Sequence, residues 1–257
     1  MSLSVIKRGR GPDLVLLHGW GLNLAVWDSV VDELATRYTL TLIDLPGHGH
    51  SSEAKAETID EAANAVAAVM PKHAAVLGWS LGGQIALQLA IDHANNVAAL
   101  ILVATTPKFV TSDDWPHGVK VEVLNDFRHR LSTNYAATIR NFLALQVLHP
   151  NVARPTIAAL QKSMLGRGVP TIANLTHGLT MLAASDHRAL LHKIVQPTLV
   201  IQGDHDALTR EAAAAWMAAE IPNATYLKIE HAAHAPFLSH RAPFLNALNH
   251  FLNPQYA

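Results

Sequence analysis

A serine flanked by glycines constrains the fold of this chain more than any other feature. The segment Gly-Trp-Ser-Leu-Gly at 78–82 follows an apolar run at 74–77 and precedes a helix-like stretch at 84–90. Ser80 therefore lies where a buried strand turns sharply into a helix. Glycines two positions before and after it allow the close backbone contacts of such a turn, which holds the hydroxyl at the sheet edge. We interpret Ser80 as a nucleophile rather than an ordinary turn serine.

Hydrophobic runs rich in β-branched residues recur along the chain and predict six strands. They lie at 14–17, 40–43, 74–77, 97–103, 199–201 and 225–227. Segments with helical spacing lie at 26–36, 59–70, 83–92, 210–220 and 241–252. Nearly continuous hydrophobicity within strands that alternate with helices predicts an α/β fold, with a mostly parallel central sheet flanked by helices.

The strand signal disappears in the middle of the chain, where short helical patterns take over. This predicts a helical cap, or lid, inserted between strands at 107–196, with the core divided into a first part at 1–106 and a second part at 197–257. The 257 residues, half of them hydrophobic, are enough for one globular unit. We expect a monomer.

Composition excludes several classes of function. The chain has no cysteine, so it has no disulfide, zinc thiolate or cysteine nucleophile, and we expect a cytoplasmic protein. A net charge of -1 disfavours nucleic-acid binding, and no stretch approaches the ~18 consecutive apolar residues of a membrane span. The sixteen histidines are interpreted as mostly neutral bystanders. We expect no metal and no organic cofactor.

Charge is distributed unevenly along the sequence. Residues 108–193 contain ten Lys and Arg against five Asp and Glu, whereas the rest of the chain contains nine against fifteen. The predicted cap is therefore basic and the predicted core acidic. Either the cap has an ordinary solvated helical surface, or it is a docking face for an acidic partner.

Two loops after predicted strands offer an acid and a base for Ser80. Asp204 and Asp206 follow the strand at 199–201, and His231 and His234 follow the last strand. The carboxyl ends of parallel strands share one sheet edge, so these loops and the serine should meet. Small residues on both sides of His234 favour it as the base, and His231 is interpreted as a surface or loop-stabilising residue. Either aspartate could orient the base, the other being a turn former.

Glycine-rich loops follow the first two predicted strands. His-Gly-Trp-Gly at 18–21 occupies the place where a serine hydrolase of this chain order provides one oxyanion-hole N–H, from Trp20, the other being that of Leu81. The Trp20 side chain either forms a wall of the acyl pocket or packs in the core. The loop at 44–51 is interpreted as a structural turn, because it lacks the Lys-Ser or Lys-Thr of a phosphate loop.

These motifs in this order resemble the α/β-hydrolase superfamily over nearly the whole chain. More narrowly, the segments at 16–23, 77–83, 142–146 and 231–237 are similar to the pimeloyl-acyl-carrier-protein methyl ester carboxylesterases of biotin biosynthesis. The segment Phe-Leu-Ala-Leu-Gln at 142–146 discriminates most, because it resembles the segment that lines the substrate channel in that family. The family spacing favours Asp206 over Asp204 as the orienting acid.

The resemblance implies a serine carboxylesterase that hydrolyses the methyl ester of pimeloyl-acyl-carrier protein to pimeloyl-acyl-carrier protein and methanol. Ser80, Asp206 and His234 would be catalytic. The residues implied in substrate binding are Trp20, Ser80, Leu81, Phe142, Leu143, Ala144, Leu145, Gln146 and His234.

The resemblance also implies an acidic carrier protein as partner for the basic cap. Arg154 falls at a position that matches a carrier-binding arginine of the family, whereas Asn141 stands where an arginine is common, beside Arg140. Arg128, Arg130 and Lys162 are further candidates. The alternatives are a broad-specificity carboxylesterase on small or short-chain acyl esters and a non-catalytic ligand-binding homologue, which the complete set of triad residues disfavours.

Overall fold

Seven strands form one sheet in the computed structural model, which describes residues 2–147 and 150–253, without the side chains of 150–155, 163 and 164. The strands are β1 (Val5–Arg8), β2 (Asp13–Leu17), β3 (Thr39–Ile43), β4 (Ala74–Trp79), β5 (Val97–Val103), β6 (Thr198–Gly203) and β7 (Ala224–Ile229). Their order across the sheet is β1-β3-β2-β4-β5-β6-β7. All neighbours run parallel except β1, which pairs antiparallel with β3. The predicted α/β class and mostly parallel sheet are confirmed.

The six predicted strands are all present, and β1 is an additional one. Only Val5 and Ile6 are apolar in β1, and Lys7 and Arg8 complete it in exposed positions. Two apolar residues are too short a run for a pattern to be recognised. Because β1 is the edge strand, it needs less hydrophobicity than the buried strands beside it.

Helices cover the sheet and form the segment between β5 and β6. They are α1 (Asp28–Leu34), α2 (Ile59–Ala67), α3 (Leu81–Asp92), α4 (Val121–Thr133), α5 (Tyr135–Ala144), α6 (Pro150–Gly166), α7 (Ile172–Ala184), α8 (Glu211–Glu220), α9 (Pro236–Ser239) and α10 (Arg241–Leu252). Within the described ranges, no helix has both the length and the hydrophobicity required to cross a bilayer.

Helix α2 illustrates how the sequence specifies these elements. The Thr58 hydroxyl accepts a hydrogen bond from the Glu61 N–H at 3.1 Å, which caps the first turn. Apolar residues with helical spacing, from Ile59 to Val66, are then buried on one face. Helix α3 differs, because all residues from its start to Ala90 are buried, and its position directly after Ser80 is therefore fixed on every side.

Helices α4 to α7 all lie between β5 and β6, where the sequence predicts a cap. The two ends of this segment meet, since the His187 N–H donates to the Pro107 carbonyl at 2.8 Å and Lys108 lies 3.1 Å from the Asp186 carboxylate. The beginning and the end of the cap segment are thus in direct contact. The domain boundaries at 106/107 and 196/197 stay a prediction.

Candidate active site

The turn between β4 and α3 has the strained geometry that its glycines indicate. Ser80 has φ 56° and ψ -117°, in a region that L-residues rarely adopt. A Cβ on Gly78 would lie 2.3 Å from the Gly82 carbonyl oxygen, and one on Gly82 would lie 2.4 Å from that of Leu17. Neither position accepts a larger residue without a shift of backbone. The serine is therefore held between β4 and α3 by contacts of main chain with main chain.

Hydrogen bonds fix the same turn from the neighbouring strand. The Ser80 N–H donates to the Val103 carbonyl at 3.0 Å, and the Ser80 carbonyl accepts from the Gly83 N–H at 2.9 Å and the Thr105 hydroxyl at 2.8 Å. Both backbone groups of the serine are satisfied without its side chain. The hydroxyl is left for chemistry, at the wall of a cavity described below.

Asp206 and His234 form a buried pair at the same sheet edge. The imidazole Nδ1 of His234 lies 2.8 Å from Oδ2 of Asp206. Asp206 also accepts from the Leu208 N–H at 2.8 Å, from the Thr209 N–H at 3.0 Å and hydroxyl at 2.7 Å, and from the Gln202 amide at 3.0 Å. Burial raises the pKa of Asp206, but His234 and the Thr209 donors outweigh it, so the pKa is below its usual value.

Sequence reasoning missed the residues that hold this carboxylate. A threonine three positions after an aspartate in a loop is a local signal, because such side chains bond to one another and to nearby N–H groups. Thr209 was therefore recognisable from spacing. Gln202 was not, because it lies inside β6 and nothing in the sequence indicates that its amide faces the loop.

His234 lies against the residue that precedes the serine. The Trp79 indole N–H donates to the His234 carbonyl at 2.8 Å, and the two rings lie 5.5 Å apart. Because Ser80 follows Trp79 directly, the imidazole is next to the turn that carries the hydroxyl. Of the rival candidates, Asp204 is outside the hydrogen bonds of this pair, and His231 is exposed.

The loop after β2 brings Trp20 beside the start of α3. The backbone N–H groups of Trp20 and Leu81 donate no hydrogen bond to any group in the described part of the chain, as an oxyanion hole requires. A Cβ on Gly19 would lie 3.3 Å from the Ser80 Cβ, so this loop touches the turn. The Trp20 indole N–H donates to the Leu175 carbonyl in α7 at 2.8 Å, which fixes its side chain between core and cap.

Two buried histidines join this loop to the loop after β3. His48 accepts from the Gly21 N–H at 3.1 Å, and His18 accepts from the Leu45 N–H at 3.0 Å. The other ring nitrogen of each faces a carbonyl at 2.8 Å, which sets the tautomer. Burial, and then His48, lower the pKa of His18 to about 3, and burial lowers the pKa of His48. Both rings are therefore neutral at pH 7.

A buried ion pair reinforces the loop after β3 from the cap side. Asp44 accepts from the N–H groups of Leu24 and His50, and the Arg167 guanidinium lies 2.8 Å from its carboxylate. Asp44 is fully buried and Arg167 is 16% exposed, so the pair is shielded from water. This loop thus supports the predicted oxyanion loop through His48. Nothing local in the sequence relates positions 44 and 167.

A largely apolar cavity of about 320 Å³ begins at Ser80 and extends under the cap. Trp20, Ser80, Phe142 and Leu145 line it, as do Ala207 and Leu208 of the Asp206 loop. The Trp20 ring meets the Phe142 ring edge to face at 5.0 Å. Other lining residues come from α4 and α7, among them Leu124, Phe127, Leu179 and Leu182.

The remaining residues implied in substrate binding lie elsewhere. Leu143 is fully buried, and Ala144 faces outward on the exposed side of α5. Gln146 is buried, and its carbonyl accepts from the Ala235 N–H at 3.0 Å, which ties the end of the cap motif to the His234 loop. Leu81 and His234 are buried and are not among the residues that line the cavity. Within the motif at 142–146, Phe142 and Leu145 therefore line the cavity, whereas Gln146 supports the loop that carries His234.

The predicted carrier-docking residues have different surroundings. Arg140 and Lys162 are exposed, and the side chain of Arg154 lies outside the described residues. Arg130 is among the residues that line the cavity, and it pairs with Asp126 one helical turn away. Arg128 is half-buried and donates to the Thr180 hydroxyl of α7 at 3.5 Å, which is a contact within the cap.

Comparison with known proteins adds to this geometry. The family described as alpha/beta hydrolase fold matches residues 12–241. The pimeloyl-[acyl-carrier protein] methyl ester esterase of Nitrosomonas europaea is 41% identical over 96% of this chain and 98% of its own length. That of Aeromonas hydrophila is 41% identical over 98% of this chain and all of its own. The chain belongs to the α/β-hydrolase family and to this group of esterases within it. The superfamily and esterase resemblances seen in the sequence are confirmed.

Solved structures agree on the fold. An esterase from Exiguobacterium antarcticum superposes with a TM-score of 0.88 at 22% identity, over 98% of this chain and 95% of its own. A bromoperoxidase from Bacillus anthracis superposes with a TM-score of 0.87 at 21% identity, over the same shares of the two chains. At such identities only the architecture is shared, so the chemistry has to be argued from the site itself.

Proposed function

We propose that this chain is a serine carboxylesterase that hydrolyses the methyl ester of pimeloyl-acyl-carrier protein, releasing methanol and pimeloyl-acyl-carrier protein. The proposal is supported by a strained serine at the wall of an apolar cavity and by a buried Asp206–His234 pair whose imidazole lies against Trp79, the residue before that serine. The esterases of the same name, 41% identical over nearly the full length, support the substrate. This function fits the predicted cytoplasmic location, and the monomeric state stays a prediction.

The first half of the reaction forms an acyl-enzyme. Ser80 Oγ attacks the ester carbonyl carbon while His234 takes the hydroxyl proton, and Asp206 stabilises the imidazolium through Nδ1. Negative charge develops on the carbonyl oxygen, where the N–H groups of Trp20 and Leu81 stabilise it. His234 then gives its proton to the departing methoxide, and methanol leaves. The acyl group is now an ester of Ser80.

The second half restores the enzyme with water. His234 removes a proton from a water molecule as its oxygen attacks the acyl carbon, and the same two N–H groups stabilise the second oxyanion. When the intermediate collapses, Ser80 Oγ departs and recovers its proton from His234. The product is a free carboxylate at the far end of the pimeloyl chain. These steps use only side chains and backbone of this chain.

The cavity supports a hydrocarbon substrate with a polar tether. Its volume of about 320 Å³ is at the small end of the ~300–1,000 Å³ usual for small-molecule sites. Aromatic and leucine side chains near Ser80 suit the methylene chain, and Arg130 and Asn141 add polar groups to the wall. The basic cap would attract an acidic carrier by long-range charge, which raises the rate of encounter more than the rate of chemistry.

The direct test measures methanol release from the pimeloyl-carrier methyl ester by the purified chain and by Ser80→Ala. We expect turnover by the first and a loss of at least about 10⁴-fold in kcat in the second, with unchanged circular dichroism. A small soluble ester serves as the matched substrate. Hydrolysis of the small ester without hydrolysis of the carrier ester would indicate the broad-specificity carboxylesterase instead. Turnover retained by Ser80→Ala would exclude the serine mechanism.

A fluorophosphonate probe tests the non-catalytic alternative. An activated serine reacts rapidly with the probe, whereas an ordinary hydroxyl does not. We expect one label per chain, located at Ser80 and absent from Ser80→Ala. A folded chain that resists the probe would be a binding protein rather than an enzyme.

A further inference from the structure

Two loops at the sheet edge bring together three side chains that the proposed reaction does not use. Asp204 and His205 follow β6, and His231 follows β7. One ligand atom from each, a carboxylate oxygen and two imidazole nitrogens, lies within 4.8 Å of the other two. From the sequence alone, most of the sixteen histidines are expected to be neutral bystanders. The fold instead brings these two together with a carboxylate.

The backbone of both loops is fixed before any ligand arrives. A Cβ on Gly203 would lie 2.3 Å from the Ala232 carbonyl oxygen, so only glycine allows this approach of the loops. The His205 N–H donates to the same carbonyl at 3.0 Å. His231 has φ 60°, a conformation that residues other than glycine rarely adopt. The two imidazoles are thus attached to a rigid base.

Among the described residues, none of the three side chains takes part in a hydrogen bond. Within 2–147 and 150–253, Asp204 Oδ1 is buried without a hydrogen-bond partner, and no Lys or Arg nitrogen among the described side chains lies within 4 Å of the Asp204 carboxylate. His205 and His231 are exposed, and their rings meet edge to face at 5.5 Å. A buried carboxylate oxygen without a partner is costly, and a cation beside it would relieve that cost.

We propose that Asp204, His205 and His231 bind a Zn²⁺ ion that fastens the two loops together. Two imidazoles and a carboxylate are a donor set that zinc prefers, with the fourth position left to water. The centre of a triangle with sides of 4.8 Å lies about 2.8 Å from each corner. The ~2.0–2.2 Å bonds of zinc are therefore reached by inward shifts of less than about 1 Å at each of the three atoms.

The ion would act on the loops that carry the proposed acid and base. Asp206 is two residues after Asp204, and His234 is three residues after His231. Those two residues face each other, so they are not available to the ion. Zinc bound at this site adds a cross-link between the ends of β6 and β7 and stabilises the folded state. The inference does not depend on the proposed substrate or on any esterase activity.

The experiment titrates the full chain with ZnCl₂ in competition with a chromophoric zinc chelator. We expect one equivalent to bind to the wild type and an affinity at least about tenfold lower in His205→Ala and in His231→Asn. Asparagine is used at 231 because it tolerates positive φ, so the loop keeps its conformation. His250→Ala removes an exposed histidine outside the cluster and should bind zinc like the wild type.

Two further measurements separate this site from other binding. His234→Ala should keep the zinc affinity, because its imidazole is engaged by Asp206. At a hundredfold excess of zinc over Kd, the wild-type Tm should rise by roughly 5 °C or more, and His205→Ala should not respond. Failure of the wild type to bind, unchanged affinity in the variants at 205 and 231, or loss of binding in His234→Ala would each overturn the proposal.

Discussion

The sheet edge that carries Ser80 and the cap that covers it are built by different forces. At the edge, backbone hydrogen bonds, close glycine contacts and buried polar pairs fix each group, as for Asp206 with its four protein donors besides His234. In the cap, aromatic and aliphatic side chains form the wall of a cavity, and Val123 on that wall is 55% exposed. Directional bonds define the first region and apolar contacts the second.

This difference separates chemistry from selection of the substrate. Hydrogen bonds and steric contacts of main chain permit one geometry, so a change at the edge should affect every ester alike. Apolar walls and exposed charges tolerate changes of side chain, so a change in the cap should affect only substrates that touch it. The effect of a substitution should therefore depend on which of the two regions contains it.

The largest effect is expected from Asp206→Asn. The amide keeps an acceptor for the Leu208 and Thr209 N–H groups but offers no charge to His234 and favours the wrong tautomer. We expect kcat to fall by about 10⁴-fold on the carrier ester and on a small ester equally. Steady-state rates on both substrates test this. A loss confined to the carrier ester would contradict the separation of the two regions.

Glycine substitutions compare the packing of the two regions directly. In Gly82→Ala the new methyl would meet the carbonyl oxygens of Leu17 and His18 at 2.4 and 2.6 Å, and neither backbone has room to move. We expect a loss of about 3 kcal/mol in the free energy of unfolding by urea. In Gly166→Ala, at the end of α6, the methyl meets nothing within 4 Å, so we expect a gain of up to about 1 kcal/mol. Equal effects at both positions would contradict the comparison.

The loss of folding stability at acidic pH should also arise from residues near the carboxyl ends of the strands. The pKa of His18 is about 3 in the folded chain and 6.5 ordinarily, so the unfolded state binds more protons below pH 6.5 and stability falls as pH falls toward 3. In His18→Gln this contribution is absent, and the loss of unfolding free energy from pH 7 to 5 should be about 2 kcal/mol smaller than in the wild type. Urea titrations at pH 7, 6 and 5 measure it.

The control for this prediction is His177→Gln, which removes an exposed histidine of α7. Its dependence of stability on pH should match that of the wild type. The opposite result, with the change at 177 flattening the dependence and the change at 18 leaving it intact, would place the acid-sensitive group in the cap.

The smallest effect is expected from reversal of one cap charge. Arg140 is exposed and outside the cavity, so Arg140→Glu should lower kcat/KM on the carrier ester by up to about tenfold and leave the small ester unchanged. The loss should shrink as salt increases, because salt screens exposed charges. Arg10→Glu is the matched variant. Arg10 is exposed and lies just before β2, at the amino ends of the parallel strands, whereas Ser80 lies at their carboxyl ends. Equal rates for the two variants on the carrier ester would show that the charge of Arg140 in the cap does not promote carrier binding.

The sequence predicted the features that depend on local pattern. Buried strands are apolar runs, and the turn at Ser80 requires glycines at fixed spacing, so both were recognisable. Asp204 and Asp206 share one loop, and residue types alone left the choice between them open. The resemblance favoured Asp206, and the loop conformation brings its carboxylate to 2.8 Å from His234 Nδ1. The contact of Arg167 with Asp44 joins positions 123 apart, and no local rule relates them. The zinc-ligand cluster depends in the same way on the pairing of β6 with β7.

The contact of Arg167 with Asp44 also makes the shape of the site depend on a residue far from it in sequence. Removing the guanidinium would leave the buried Asp44 carboxylate with only the Leu24 and His50 N–H groups, which costs several kcal/mol. Asn174 adds a second attachment, a hydrogen bond to the Gly47 carbonyl at 3.1 Å. Both contacts fasten the cap to the loop after β3, whose His48 accepts from the Gly21 N–H beside Trp20. A substitution at position 167 should therefore disturb the predicted oxyanion loop, although Arg167 belongs to the cap.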